Sequence, residues 1–174
     1  MLSKSVYIIC EIASAHCGNI KKLKKLIKCA DETGADFVKL QIFSYLGLVA
    51  EENKAFVDLK KIEIDKNKWL EIIEYTSKFQ IKLIIEPFDR ESFELIKDNP
   101  SVDAYKIPTS DISDLDFVKK IKEQNKLVFA AIGGSKLYEI DNLFNIFENN
   151  KEEKLVLMHG IQNFPTKIKD TSLN

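Results

Sequence analysis

No stretch of the sequence approaches the roughly 18 consecutive apolar residues that a membrane-spanning helix needs, and neither sign of charge is in excess. Lysine and arginine number 26 against 27 aspartate and glutamate, a formal net charge of -1. That balance leaves no overall field to draw nucleic acid or an anionic membrane. Cysteine is scarce. Cys10, Cys17 and Cys29 form neither a C-x-x-C nor a Cys/His ligand spacing, and their odd number argues against a disulfide framework. Reduced thiols in a cytoplasmic protein are expected. The apolar core of a secretory leader is also missing, because the run Val6 to Cys10 stops at Glu11. Neither G-x-G-x-x-G nor G-x-x-x-x-G-K-[ST] follows the first apolar run, which counts against the common nucleotide-binding loops.

What is there suits one globular domain over residues 1–174, with 45% hydrophobic and 30% charged residues. Six apolar runs of strand length follow one another, and all but the fifth end at, or contain, a polar group. The first is Val6 to Cys10, delivering Glu11 to its carboxyl end. The others run through Lys39 and Gln41, to Glu86, through Lys106, to Ala131, and to His159. Lys39 and Gln41 alternate with apolar neighbours, so their side chains point the same way.

Between these runs lie helical patterns. Asn19 caps a helix to about Thr33 whose apolar face is Leu23, Leu26, Ile27 and Ala30, with lysines on the other side. Asn67 to Phe79 carries Trp69, Leu70, Ile72, Ile73 and Tyr75. Asp89 or Arg90 starts a short helix ending at Lys97. Asp111 or Ser113 caps a helix through Lys122, and Leu137 to Phe147 forms the last. Ser44 to Asp65 reads as a long irregular loop, of the kind that serves as a lid or a binding segment.

Strict alternation of apolar strands with helices means a parallel sheet covered by helices. An open doubly wound sheet and a closed barrel both satisfy it. Polar groups at the strand ends favour the barrel, where active sites are built at that face. A complete barrel takes about 250 residues in eight units, so the expectation is an α/β, TIM-type (β/α)8 barrel that is incomplete here, with about six βα units.

Six short motifs in order sharpen this: Cys10-Glu11-Ile12 with His16 and Gly18; Val38-Lys39-Leu40-Gln41; Pro87-Phe88-Asp89; Tyr105-Lys106-Ile107 with Asp111; Ile132-Gly133; and Leu157-Met158-His159 with Pro165-Thr166. From about residue 6 to 173 the chain resembles the sialic acid synthase (N-acetylneuraminate synthase) family, TIM-barrel enzymes that join phosphoenolpyruvate to an N-acyl amino sugar. The resemblance covers the barrel's first six units and nothing of the C-terminal antifreeze-like domain. It implies carbohydrate biosynthesis by a transferase. The implied partners are small molecules, with no nucleic acid and no membrane, and a homodimer is an assembly it allows. It also implies a divalent cofactor, manganese or magnesium, whose histidine ligands lie beyond the sixth strand, so no metal residue is assigned.

By the same resemblance, Glu11 handles protons and Lys106 contacts the phosphoenolpyruvate as the second catalytic residue. Lys39, Gln41, Glu86, Thr109, Asp111, Gln162 and Phe164 line the substrates, with His16 and His159 as further candidates. Each has a plainer counterpart. Glu11 could be a buried structural acid bonded to backbone amides, His16 a loop residue bonded to nearby backbone, and His159 a satisfied core histidine. Cys17 has no obvious base beyond His16.

The departures are informative. Glu86 stands where the family usually has a hydroxyl, Ala131 and Ile132 where it has Ser-Thr, and Gln162 and Phe164 where asparagine and tyrosine are common. A carboxylate beside a phosphate site weakens it, and Glu86 is expected to pair with Lys39 or Lys106. Two alternatives follow: an aldolase or lyase on another small keto acid, or a truncated or non-catalytic member of the family.

Overall fold

A computed structural model describes residues 6–147, 154–163 and 165–173. It contains strands β1 (Ile9–Glu11), β2 (Phe37–Ile42), β3 (Lys82–Pro87), β4 (Ala104–Ile107), β5 (Leu127–Ala131) and β6 (Leu155–Met158). The helices are α1 (Ile20–Glu32), α2 (Tyr45–Leu48), α3 (Phe56–Ile62), α4 (Lys66–Thr76), α5 (Arg90–Ile96), α6 (Leu115–Glu123) and α7 (Leu137–Phe147). The chain divides into two compact units, one ending at Tyr105 and one beginning at Lys106.

In the first unit β1, β2, β3 and β4 pair in chain order, all parallel. The strands β2 and β3 are almost wholly buried, as parallel strands covered by helices must be. The helix α1 forms where expected. The Asn19 side chain accepts the Lys22 amide at 3.0 Å, and Leu23, Ile27 and Ala30 are the residues it buries. Asp65 caps α4, which packs on α1 and buries Trp69, Ile72, Ile73 and Thr76. The Asp89 side chain caps α5 through the Ser92 amide at 2.7 Å. Buried Phe93 then meets Tyr105 edge-on at 5.7 Å. The Tyr105 hydroxyl donates to the Lys97 carbonyl at 3.1 Å, and burial, then the charge of Asp98, pushes its pKa well up.

In the second unit β5 and β6 pair in parallel, Val128 opposite Leu155 through Ala131 opposite Met158. The helices α6 and α7 pack together, burying Phe117, Val118 and Ile121 from one and Leu143 and Phe147 from the other. Gly133 follows β5 where a side chain has no room, since a Cβ there would lie 2.4 Å from the Gly160 carbonyl oxygen. No helix among the described residues is long and apolar enough to cross a membrane.

Four expectations need correction. The first strand covers only Ile9–Glu11 and is half-buried, with Val6 and Ile8 largely exposed before it. The stretch 44–65 is not irregular, for it holds α2 and α3. Leu70, read as part of the apolar face of α4, is exposed. The cap of α6 is neither Asp111 nor Ser113 but Asp114, whose carboxylate accepts the Phe117 amide at 3.1 Å.

Candidate active site

Strand register brings four polar side chains of the first unit together. Glu11 is level with Lys39 across β1 and β2, and Gln41 is level with Glu86 across β2 and β3. Lys39 and Gln41, two residues apart, share one face of β2. The Lys39 ammonium pairs with Oε2 of Glu11 and, at 2.5 Å, with Oε2 of Glu86. Gln41 Nε2 donates to that same Glu86 oxygen at 3.0 Å. The expected pairing of Glu86 with Lys39 is therefore formed.

Burial separates the roles these groups can play. Lys39 is 4% exposed and Glu86 1%, whereas the Glu11 side chain is 47% exposed. Ionised groups this deep persist only when paired and hydrogen-bonded, and each meets that condition. Glu11 reaches solvent, and its second oxygen, Oε1, accepts the Ala13 amide at 3.0 Å. The plain expectation of a buried acid tied to backbone amides is met only in its bond to one amide, for the side chain is not buried. The loop that follows is tightly wound: Ala13 and Cys17 both take left-handed backbone, at φ 44° and 51°.

His16 sits in this loop, buried. Its Nδ1 accepts the Gly18 amide at 2.9 Å, so in the neutral ring the proton resides on Nε2, which finds no hydrogen-bond partner among the described residues. The ring meets Trp69 edge-on, 6.1 Å between centroids. Burial foremost, and then the charge of Lys22, holds the His16 pKa below its usual value. Cys17 is exposed, with its thiol 3.9 Å from the Lys22 ammonium.

Two residues of this unit were assigned no part in the site. Trp69 packs against the histidine. Asp89 accepts the Ser44 amide at 2.7 Å and the Ser92 hydroxyl at 2.8 Å, fastening the segment after β2 to the start of α5. Its place just after the apolar end of β3, before a helix, was the available signal. A cavity of about 170 Å³ lies beside Trp69, Glu63 and Ser92 and touches none of the four clustered residues.

The remaining candidates lie in the second unit. Lys106 is half-buried near the end of β4, and Thr109 and Asp111, also half-buried, form the 3-10 turn directly after it. Ala131 ends β5. His159 is exposed, and its Nε2 lies 2.8 Å from the Thr171 carbonyl. The core-histidine reading is therefore wrong, because β6 ends one residue earlier and the ring lies outside it. Gln162 is exposed and its stem lies beside Gly134. Phe164 falls outside the described residues.

Comparison with known proteins bears on the family and the fold. The NeuB family model matches residues 26–174. The N,N'-diacetyllegionaminic acid synthase of Campylobacter jejuni is 30% identical over 98% of this chain and 55% of its own length. A pseudaminic acid synthase of the same species is 28% identical over 98% and 53%. The N-acetylneuraminate-9-phosphate synthase of Drosophila melanogaster is 25% identical over 99% and 50%. The chain thus spans about half the length of the curated relatives it matches. Among solved structures, an N-acetylneuraminic acid synthetase of Leptospira borgpetersenii superposes with a TM-score of 0.88 at 24% identity, covering 97% of this chain and 59% of that one. A truncated 3-deoxy-D-arabino-heptulosonate 7-phosphate synthase of Thermotoga maritima gives 0.66 at 13% identity, over 95% and 58%. The fold class is α/β, with parallel strands of the TIM-barrel type.

Proposed function

Because the chain belongs to the NeuB family, we propose that it supplies the strand-end half of a site that condenses phosphoenolpyruvate with an N-acyl amino sugar, giving a nine-carbon 2-keto acid. The observation that carries this reading is the buried Lys39 ammonium of β2 held between Glu11 of β1 and Glu86 of β3. In the reaction, the enol carbon of phosphoenolpyruvate bonds to the aldehyde carbon of the open-chain sugar. Water adds at the phosphate-bearing carbon, and phosphate departs with its bridging oxygen.

Each side chain has a part in this reading. Lys39 and Lys106 are point charges for the enol phosphate. Glu11, half in solvent and restrained by the Ala13 amide, receives or returns the proton of the attacking water or the sugar oxygen. Its geometry suits general acid-base work because one oxygen is anchored and the carboxylate remains accessible. Gln41, Thr109 and Asp111 hydrogen-bond the substrates, and Gln162 and Phe164 shape the sugar side.

The relatives' chemistry implies a divalent metal, but no group of three or more histidine, cysteine or acidic side chains suited to one occurs among the described residues. The carboxylates of Glu11 and Glu86 converge instead on an ammonium. The residues present do not fit a metal, and no step is assigned to one.

The test is direct. The chain, supplied with phosphoenolpyruvate, manganese and a panel of N-acyl amino sugars, is assayed for phosphate release and for a 2-keto acid by mass spectrometry. Product that disappears in Lys39→Met is the expected result. Phosphate release independent of the sugar would sink the proposal. A keto-acid aldolase is the second reading, favoured by the carboxylate on Lys39, and borohydride trapping of Lys106 with a keto acid would reveal it.

A further inference from the structure

We propose that Glu86 is a specificity-determining residue, a fixed carboxylate that competes with incoming phosphate for the Lys39 ammonium and so sets how tightly this site holds anions. The inference rests on the reading of Lys39 as an anion-binding side chain and adds what limits it.

An ammonium has three N–H donors. Glu11 and Glu86 each engage the one on Lys39, and contacts between two ionised groups are the strong kind. The two carboxylates differ in freedom. Glu11 is half-exposed, so water can take over its Oε2 while Oε1 stays on the Ala13 amide, and a ligand can replace its contact with Lys39. Glu86 is 1% exposed, and Gln41 donates to the same oxygen that Lys39 holds. The register that puts Gln41 level with Glu86 fixes this contact from the strand backbone outward. A phosphate approaching Lys39 therefore meets a negative charge that stays in place. Like charges within about 4–6 Å disfavour one another by about one pKa unit or more, equivalent to about tenfold in affinity.

The arrangement is also tolerant of change at this position. Glu86→Gln keeps the shape and an oxygen for Gln41, while Lys39 retains Glu11 as counter-charge. The substitution removes the competing charge and leaves the ammonium paired.

Inorganic phosphate is the probe, titrated calorimetrically into the full chain, into Glu86→Gln and into the control Glu91→Gln, a change at an exposed position on α5. The expected result is phosphate binding tighter by about tenfold or more in Glu86→Gln, with Glu91→Gln unchanged. Unchanged or weaker binding in a folded Glu86→Gln overturns the proposal, as does the absence of binding in every chain. Loss of folding in Glu86→Gln overturns it too, because it makes Glu86 a counter-charge the fold requires. The synthase reading fails separately. If Glu86→Gln gains phosphate affinity but binds phosphoenolpyruvate no better than phosphate and turns over no sugar, the competition stands and the assigned reaction falls.

Discussion

Lys39 is a charged side chain in a strand whose other residues are mostly apolar and buried, and it is admitted because its charge is answered on the spot. Removing one partner from a buried ion pair typically costs about 3–5 kcal/mol, far more than the pair contributes relative to an apolar replacement. Two carboxylates, Glu11 and Glu86, share the task of answering the Lys39 charge, so neutralising one of them still leaves Lys39 a counter-charge. His16 is a second polar residue under the same constraint, met differently. It is buried with one nitrogen satisfied and keeps its ring neutral, its pKa held below the ordinary 6.5 by burial and by Lys22. The unfolded chain, with the ordinary value, takes up a proton first as pH falls. The contribution of the neutral ring is complete above about pH 6.5 and is lost on acidification from there down through the folded-state value. Urea midpoints at pH 7.5 and 5.5 should therefore fall further in the parent chain than in His16→Asn, whose amide oxygen can still accept the Gly18 amide. Equal losses in the two would refute the assignment.

At the scale of elements, the loop after β1 is held by one residue that permits no substitute. Gly18 has φ +74°, and a Cβ on it would lie 2.8 Å from the Lys61 carbonyl oxygen. Both backbone conformation and space exclude a side chain. Gly18→Ala should lower stability by about 1–3 kcal/mol, measured by urea denaturation, and should release His16 from the Gly18 amide, visible as a shifted imidazole resonance. A neutral effect would mean that the loop relaxes away from α3. The helices α1, α4, α6 and α7 were legible in the sequence because each carries an apolar stripe at helical spacing. The helices α2 and α3 were not. Neither buries a residue and neither has a side-chain cap, so neither leaves a periodic signal. What joins them is tertiary: Tyr45 meets Phe56 edge-on at 5.1 Å, and the Lys60 ammonium lies 5.6 Å from the Tyr45 ring. The clustered site residues could be read because a lysine, a glutamine and a glutamate interrupt otherwise apolar strands. The exposed place of His159 could not be, since one residue of strand length decides whether it lies in the core or beyond it.

Across the whole chain, strand burial is uneven, and local stability should follow it. In the first unit β2 pairs with β1 on one side and β3 on the other, and Val38, Leu40 and Ile42 are at most 2% exposed. In the second unit all four residues of β6 are only half-buried, although they are as apolar as those of β2. Hydrogen exchange reports the free energy of local opening, which is low where few buried apolar contacts must break. The amides of β2 and β3 should therefore exchange slowest, near the limit set by global unfolding. Those of β6 should exchange through smaller openings and at lower denaturant. The placement of the charges gives this a functional side. Lys39, Gln41 and Glu86 sit on the strands expected to open least, so a ligand at Lys39 meets groups that are already positioned and need not be ordered on binding. Exchange in β2 as fast as in β6 would remove that preorganisation, and with it the argument that the fixed position of Glu86 governs anion affinity.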